Sequence, residues 1–273
     1  MSESIQTTRP GWLARNYHRI AVVSSAVALI GVIIEIGSGL GYRFGILPLQ
    51  RALLTLLPTG AYIAAAGAAL CAVTLLLALV LYKGAFLGRS AMVIVGLIVG
   101  GLGAFTPYSL RYSSSPHPPI HDISTDIENP PAFVDVLPLR EQTHATNTAE
   151  YLQETKRGAI IINIPEAQLK AYPDVKPIVL EGVSTTDAFS RALEAVKKQK
   201  WTLVTAKPEE GRIEAWDKTF WFGFIDDVVI RVTATDGGSK IDVRSLSRVG
   251  GGDVGKNAER IRGYTQTLLA TKG

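Results

Sequence analysis

The sequence holds a single cysteine, Cys71, among 273 residues. That excludes an internal disulfide and a zinc site built on cysteines. Acidic residues are nearly missing from the first part of the chain: residues 1–110 carry only Glu3 and Glu35, against seven Lys/Arg. A basic excess is missing from the second part. Residues 111–273 carry the remaining 21 basic (28 − 7) and 22 acidic (24 − 2) residues, a net −1. The formal +4 of the whole chain therefore belongs to the first part. The second part lacks the basic footprint that binding to nucleic acid requires.

What the first part has is apolar length. Three segments, 20–39, 60–82 and 90–110, are each about 20 residues long, enough to cross about 30 Å of hydrocarbon. They define a membrane domain at 20–110 behind a tail at 1–19. No small-residue cleavage site follows the first segment, so it reads as an uncleaved anchor. Lys/Arg are biased to the tail and the 83–89 loop, which predicts a cytoplasmic N-terminus. Three crossings then put the C-terminal domain outside, in the periplasm of a Gram-negative cell, with inner-membrane lipids as neighbours.

The segment "GILPLQRALLTLLPTG" is expected to lie at the interface or to re-enter slightly. Glu35 is expected to reach the outer interface and pair with Arg43; a proton-relay role is the alternative reading. Gly96, Gly100 and Ala104 form a small-residue stripe. It suits packing against the second span, with a homo-oligomer as the alternative.

Six prolines between 111 and 140 predict an extended arm without helix. The arm contains "HDISTDIENPPAF". His117 and His121 have a helical metal-ligand spacing, but Pro118 and Pro119 forbid the helix, so no metal site is read there. Ser, Thr, Asp and Asn beside proline suit backbone-satisfying turns, and the stretch is expected to dock on the domain through Phe133. The alternative is an extracytoplasmic hydrolase using His121, Asp122, Ser124, Thr125 and Asp126. That reading needs a nucleophile and base within reach, which the spacing does not supply.

The soluble domain, 141–273, starts polar, with weak helical stretches at 149–156 and 166–171. Strand signals follow in "KPIVLEGV", "WTLVTAK", "RIEAWDKTFWF", "DVVIRVTAT" and "SKIDVRSLSR", and helix signals in "STTDAFSRALEAVKKQK" and 256–270. Short turns make the consecutive strands antiparallel. The fold class is thus α+β: three N-terminal transmembrane helices, then a two-layer domain with an antiparallel sheet and helices on one face.

"GGGDVGKN" mimics a dinucleotide or phosphate loop, but Asn257 replaces the magnesium-binding hydroxyl, and the chain ends after the following helix. A Gly-rich turn capped by Asp253 explains it, and no cofactor is expected. Arg231, Asp242 and Arg244 share neighbouring strands, and Arg248, Lys256, Arg260 and Arg262 follow. Either this group binds an anionic partner, or its charges pair internally on an otherwise open sheet face.

"HDISTDIENPPAF", "AYPDVKP", "RIEAW", "FIDDVVIRV" and "IDVRSLSRVGGGDVGKNAERIR" together resemble the domain-of-unknown-function family 1499, from His121 to about Leu269. The resemblance extends to its bacterial membrane-anchored members and implies no particular activity. Its blocks fall on Asp122, Ser124, Thr125, Asp126, Pro130, Arg231, Asp242, Arg244, Ser245, Ser247, Arg248, Asp253, Gly255, Asn257, Arg260 and Arg262. The reading adopted is a membrane-anchored binding or accessory module of the cell envelope, meeting an envelope protein or an anionic ligand.

Overall fold

The computed structural model describes residues 11–82, 86–114 and 117–271. Part of the predicted tail and Lys83, whose charges set the expected orientation, lie outside the described residues. The chain divides into two compact units, Met1–Tyr112 and Ser113–Gly273.

The first unit contains α1 (Trp12–Arg43), a π-helical segment (Arg51–Leu56), α2 (Leu57–Tyr82) and α3 (Phe86–Ser114). Its stretches Trp12–Arg43, Arg51–Tyr82 and Ser90–Ser109 are long and apolar enough to cross a membrane. Close backbone approach holds them together. A Cβ on Gly31 would strike the Ala64 amide and Gly60 carbonyl, and one on Gly67 would strike the Ala28 backbone. Apolar side chains gain little by leaving lipid for one another, so contact distance and hydrogen bonds carry the association. Ser24 and Thr74 hydroxyls lie 2.9 Å apart, and Ser25 Oγ donates to the Met92 carbonyl at 3.2 Å.

The small-residue stripe packs against the second span as expected, and the expectation for Glu35 changes. The stripe on α3 faces inward: a Cβ on Gly100 would lie 2.8 Å from the Ala64 carbonyl oxygen, and one on Gly96 would lie 2.9 Å from Cys71 Sγ. Those two glycines serve packing within one chain. In the segment before the second span, residues 44–48 are not helical and residues 49–56 are, with π-helical hydrogen bonding over Arg51–Leu56. Pro58 stands at the second residue of α2, directly after that π-helical segment. Glu35 does not pair with Arg43, which lies about 12 Å further along α1. It is only 3% exposed, and its Oε1 has no hydrogen-bond partner among the described residues. The side chain sits where Gly60 and Gly103 leave room: Cβ atoms there would lie 2.7 Å from Glu35 Cγ and 3.2 Å from Oε1.

The second unit is built on a six-stranded antiparallel sheet. Strands β5 (Thr202–Lys207), β6 (Arg212–Lys218), β7 (Ile225–Thr235) and β8 (Gly238–Ser247) follow in order. Both β1 (Asp122–Ser124) and β4 (Ile178–Glu181) pair with β8, at opposite ends of its free edge. Helices α6 (Thr185–Lys198) and α7 (Lys256–Ala270) enclose the main core with Ile123, Ile213, Ile230 and Val243. Ser184 caps α6 by accepting from the Asp187 amide, as its position before the apolar periodicity predicts. Trp201 stacks on the buried Tyr264 at 5.5 Å.

The Pro-rich arm is not free of helix: α4 (Leu137–Gln142) forms with Pro138 in its first turn, where an amide would go unused anyway. The expected helical stretch at 149–156 is not helical either. Strands β2 (Glu154–Arg157) and β3 (Ile160–Asn163) make a hairpin turning at Gly158, followed by α5 (Ile164–Ala171). The β-branched run Ile160–Ile162 overrides the weak helical signal before it.

Candidate functional site

Alternation along β6, β7 and β8 sends Ile213, Ile230 and Val243 to the helices. It sends Glu214, Asp227, Val229, Asp242, Arg244 and Leu246 to the opposite face. That face is not open. Phe133 and Val136 of the arm pack on Val229 and Leu246, forming a second apolar cluster. The charged side chains beneath the arm are consequently buried, and burial of an ion is tolerable only with a partner.

Arg244 is bidentate to Asp122, with Nε to Oδ1 at 2.9 Å and Nη2 to Oδ2 at 2.7 Å. It also donates to the carbonyls of Pro131 and Ala149, and its guanidinium lies over the Phe133 and Tyr151 rings. One arginine thus fastens β1, the extended chain at Pro131 and the segment at Ala149 to β8. Asp227, fully buried, accepts from Arg140 of α4 and from Arg248, each at 2.6 Å. Arg248 continues to Thr143 Oγ1 at 2.9 Å.

Arg231 and Asp242 stand opposite each other in the β7–β8 register and bond at 2.8 Å, the predicted cross-strand pair. Asp126 joins them, bonding Arg231 and Lys240 at 3.2 Å each. Burial pushes the Asp126 carboxyl up, but the Asn129 amide, Lys240 and Arg231 outweigh it and hold the group below its ordinary range. Glu214 accepts the Val134 and Val136 amides at 2.9 and 2.8 Å and pairs with Arg212.

On the helix side, the Gly-rich loop uses its own carboxylate. Asp253 accepts the Gly255 amide at 2.9 Å and the Asn257 amide at 2.7 Å, so the donors at the start of α7 are occupied from within the chain. Burial pushes the Asp253 carboxyl above its ordinary value. Asn257 gathers the surrounding elements. It donates to the His121 carbonyl and Ser247 Oγ, and its Oδ1 accepts from Ser245 Oγ at 2.7 Å and Arg260 at 2.6 Å. Arg260 closes on Asp226 at 2.7 Å and Asp217 at 3.0 Å.

The rest of the opening motif serves backbone. Ser124 Oγ donates to the Asp126 carbonyl at 2.8 Å, and the Ser124 amide and carbonyl are both bonded to the Gln168 side chain. Thr125 Oγ1 accepts the Val243 amide at 2.8 Å. These partners are turn and strand groups, not a general base. Arg262 and Lys256 are the exposed members of the predicted cluster, paired with Asp174 and Glu259 at 2.6 Å each. The Arg262 guanidinium holds Asp174 below its usual range, and burial, then the Asp253 charge, pushes the nearby Tyr172 hydroxyl up to about 12.

The structure thus divides the predicted residues among several separate internal networks instead of one anion-binding face. The sequence reading missed Arg140, Arg212, Glu214 and Asp227. The available signal was charge in the middle of β6 and β7, on a face assigned to solvent. The open groove between α6 and the 208–211 turn, lined by Thr186, Phe189, Ser190, Leu193 and Glu209, contains none of the motif residues.

An antiparallel α+β domain tied together by buried arginine–carboxylate pairs, behind helices apolar enough to span a membrane, is the class these observations define. The family described as protein of unknown function (DUF1499) matches residues 122–268, and the chain belongs to it. No curated protein and no solved structure matches the chain.

Proposed function

We propose that this chain is a membrane-anchored, extracytoplasmic binding or accessory module of the bacterial cell envelope. In this reading the N-terminus is cytoplasmic, the second unit is periplasmic, and a protein partner is met through surface outside the arginine networks. The supporting observation is that the carboxylates and hydroxyls at 122–126 of the opening motif are engaged in holding the domain: Asp122 by Arg244, Ser124 by the Asp126 carbonyl, Thr125 by Val243, and Asp126 by Arg231 and Lys240. A hydrolase needs a nucleophile poised on a base, and here the hydroxyls are bonded to backbone. The arginines expected to take an anion are likewise committed, which moves the recognition surface elsewhere.

Crosslinking and affinity capture of the full-length protein from membranes tests the reading. A specific envelope protein, retained after Ser124→Ala, is the expected result. Hydrolysis of an ester or phosphoester by the purified protein, lost in a folded Ser124→Ala variant, would replace it with the hydrolase reading. Orientation is tested separately: protease added to intact spheroplasts should remove the second unit, and full protection reverses the topology.

A further inference from the structure

The β2–β3 hairpin is a ribbon of two four-residue strands outside the main sheet. Such a ribbon is marginal in water on its own. Its foot is fixed: Ile162 packs against the core, and the Ile164 amide donates to the Gln153 carbonyl at 2.8 Å. Its tip is not covered. Ile160 and Ile161, which alternate onto opposite faces, are 66% and 58% exposed. Bulky β-branched side chains exposed on both faces of a ribbon mark a contact surface.

Charge at the tip narrows the occupant. Lys156 stands opposite Ile161 and Arg157 opposite Ile160 in the register, while residues 155–165 contain no acidic residue. Isoleucines beside basic residues suit an anionic lipid interface: the apolar side chains enter the acyl boundary and the cations meet phosphate. The same chain carries three helices apolar enough to span a membrane, which would hold such a tip at high effective concentration near a bilayer.

We propose that the β2–β3 hairpin is a membrane-contact element whose tip, Lys156 to Ile161, docks into the headgroup region of an anionic bilayer. This rests on the membrane-anchored reading above. The test uses the full-length protein in nanodiscs of phosphatidylcholine, with or without phosphatidylglycerol. A benzophenone amino acid is placed at Ile160 or, as control, at Asp236 in the β7–β8 turn. Lipid adducts should form at 160 several-fold more than at 236, and should rise with phosphatidylglycerol. The double variant Lys156→Glu, Arg157→Glu should reduce them several-fold without changing the thermal melt.

Adducts only to a second copy or to another protein would overturn the proposal, as would a lipid yield at 160 no greater than at 236. A yield indifferent to phosphatidylglycerol and to the charge reversal would overturn the anionic-lipid assignment. Alkaline extraction separates the two levels. A chain released from membranes defeats the anchored reading, whereas a retained chain without lipid adducts defeats only the hairpin proposal.

Discussion

The two units bury their polar groups by opposite rules. In the first, helices meet backbone to backbone at Gly31, Gly67 and Gly100, and hydroxyls such as Ser24 and Thr74 bond across the gaps. Its buried carboxylate, Glu35, has no ion pair among the described residues. In the second, Asp122, Asp227, Asp242 and Glu214 are as deeply buried, yet each faces at least one cation. The difference follows from what each sheet or helix face must exclude. Helices in lipid need only fit. An antiparallel sheet in water can leave one face wet, but here both are covered, one by helices and the other by an arm tied down by arginines.

If those pairs hold the arm, the largest effect belongs to Asp227→Ala. It leaves Arg140 and Arg248 buried and facing each other, and losing one partner of a buried pair costs about 3–5 kcal/mol. Thermal melting followed by tryptophan fluorescence should show it. A melt within about 0.5 kcal/mol of the parent, the range of an ordinary surface change, would mean the charged face does not hold the arm.

The apolar anchor of the same arm comes next. Phe133 is 5% exposed against Val229 and Leu246, and burying such a ring is worth about 1.5–3 kcal/mol. Phe133→Ala should lower the melt of the second unit and increase protease cutting within 126–150.

The matching perturbation of the first unit is steric. Gly31→Ala puts a methyl into the Ala64 and Gly60 backbone, whereas Gly37→Ala meets nothing within 4 Å. Overpacking of this kind costs about 1–3 kcal/mol. Gly31→Ala should reduce resistance to unfolding in detergent while Gly37→Ala leaves it unchanged. Equal behaviour of the two would show that close approach does not hold this unit.

The sequence made much of this legible where one periodicity ruled. The start of α7 at Lys256, the Ser184 cap and the Arg231–Asp242 pair follow from local pattern and register. The hairpin at 154–163 and α4 were not legible, because helix and strand signals compete over so few residues and a proline can begin a helix as well as break one. The candidate site was half legible. Asp122, Arg244 and Arg248 were named, but their partners lie across the fold, as with Arg140 and Asp227, 87 positions apart. Such a pairing depends on how the arm returns over the sheet, and no spacing rule encodes that.

Two carboxylates sharpen the comparison of pairing with burial through pH. Asp126 is held below its ordinary value of 3.8, since the Asn129 amide, Lys240 and Arg231 outweigh the opposing effect of burial. A depressed group contributes stability that is present above its unfolded value and lost as pH falls through its folded value. Asp253 is raised by burial, so its sign is reversed: stability falls as pH rises from 3.8 through the folded value. The melt should therefore fall on acidification below the ordinary carboxylate range, and less steeply in Asp126→Asn. An unchanged acid limb in that variant would remove Asp126 from the account.

The smallest effect should come from the residue that makes the Gly-rich loop look like a phosphate site. Lys256 is exposed, and its bond to Glu259, 2.6 Å long, joins side chains 62% and 68% accessible. Water screens such a pair, and its worth is about 0–1 kcal/mol. The loop's conformation depends instead on Asp253, whose oxygens take the Gly255 and Asn257 amides that a phosphate would need. Lys256→Ala should leave the melt nearly unchanged, and neither parent nor variant should bind ATP or NAD. Asp253→Ala should destabilise the domain, because it strips two buried amides of their acceptor at about 1–3 kcal/mol each. Saturable nucleotide binding lost on Lys256→Ala would show that the amides are available to a ligand after all, and that Asp253 gives way when one arrives.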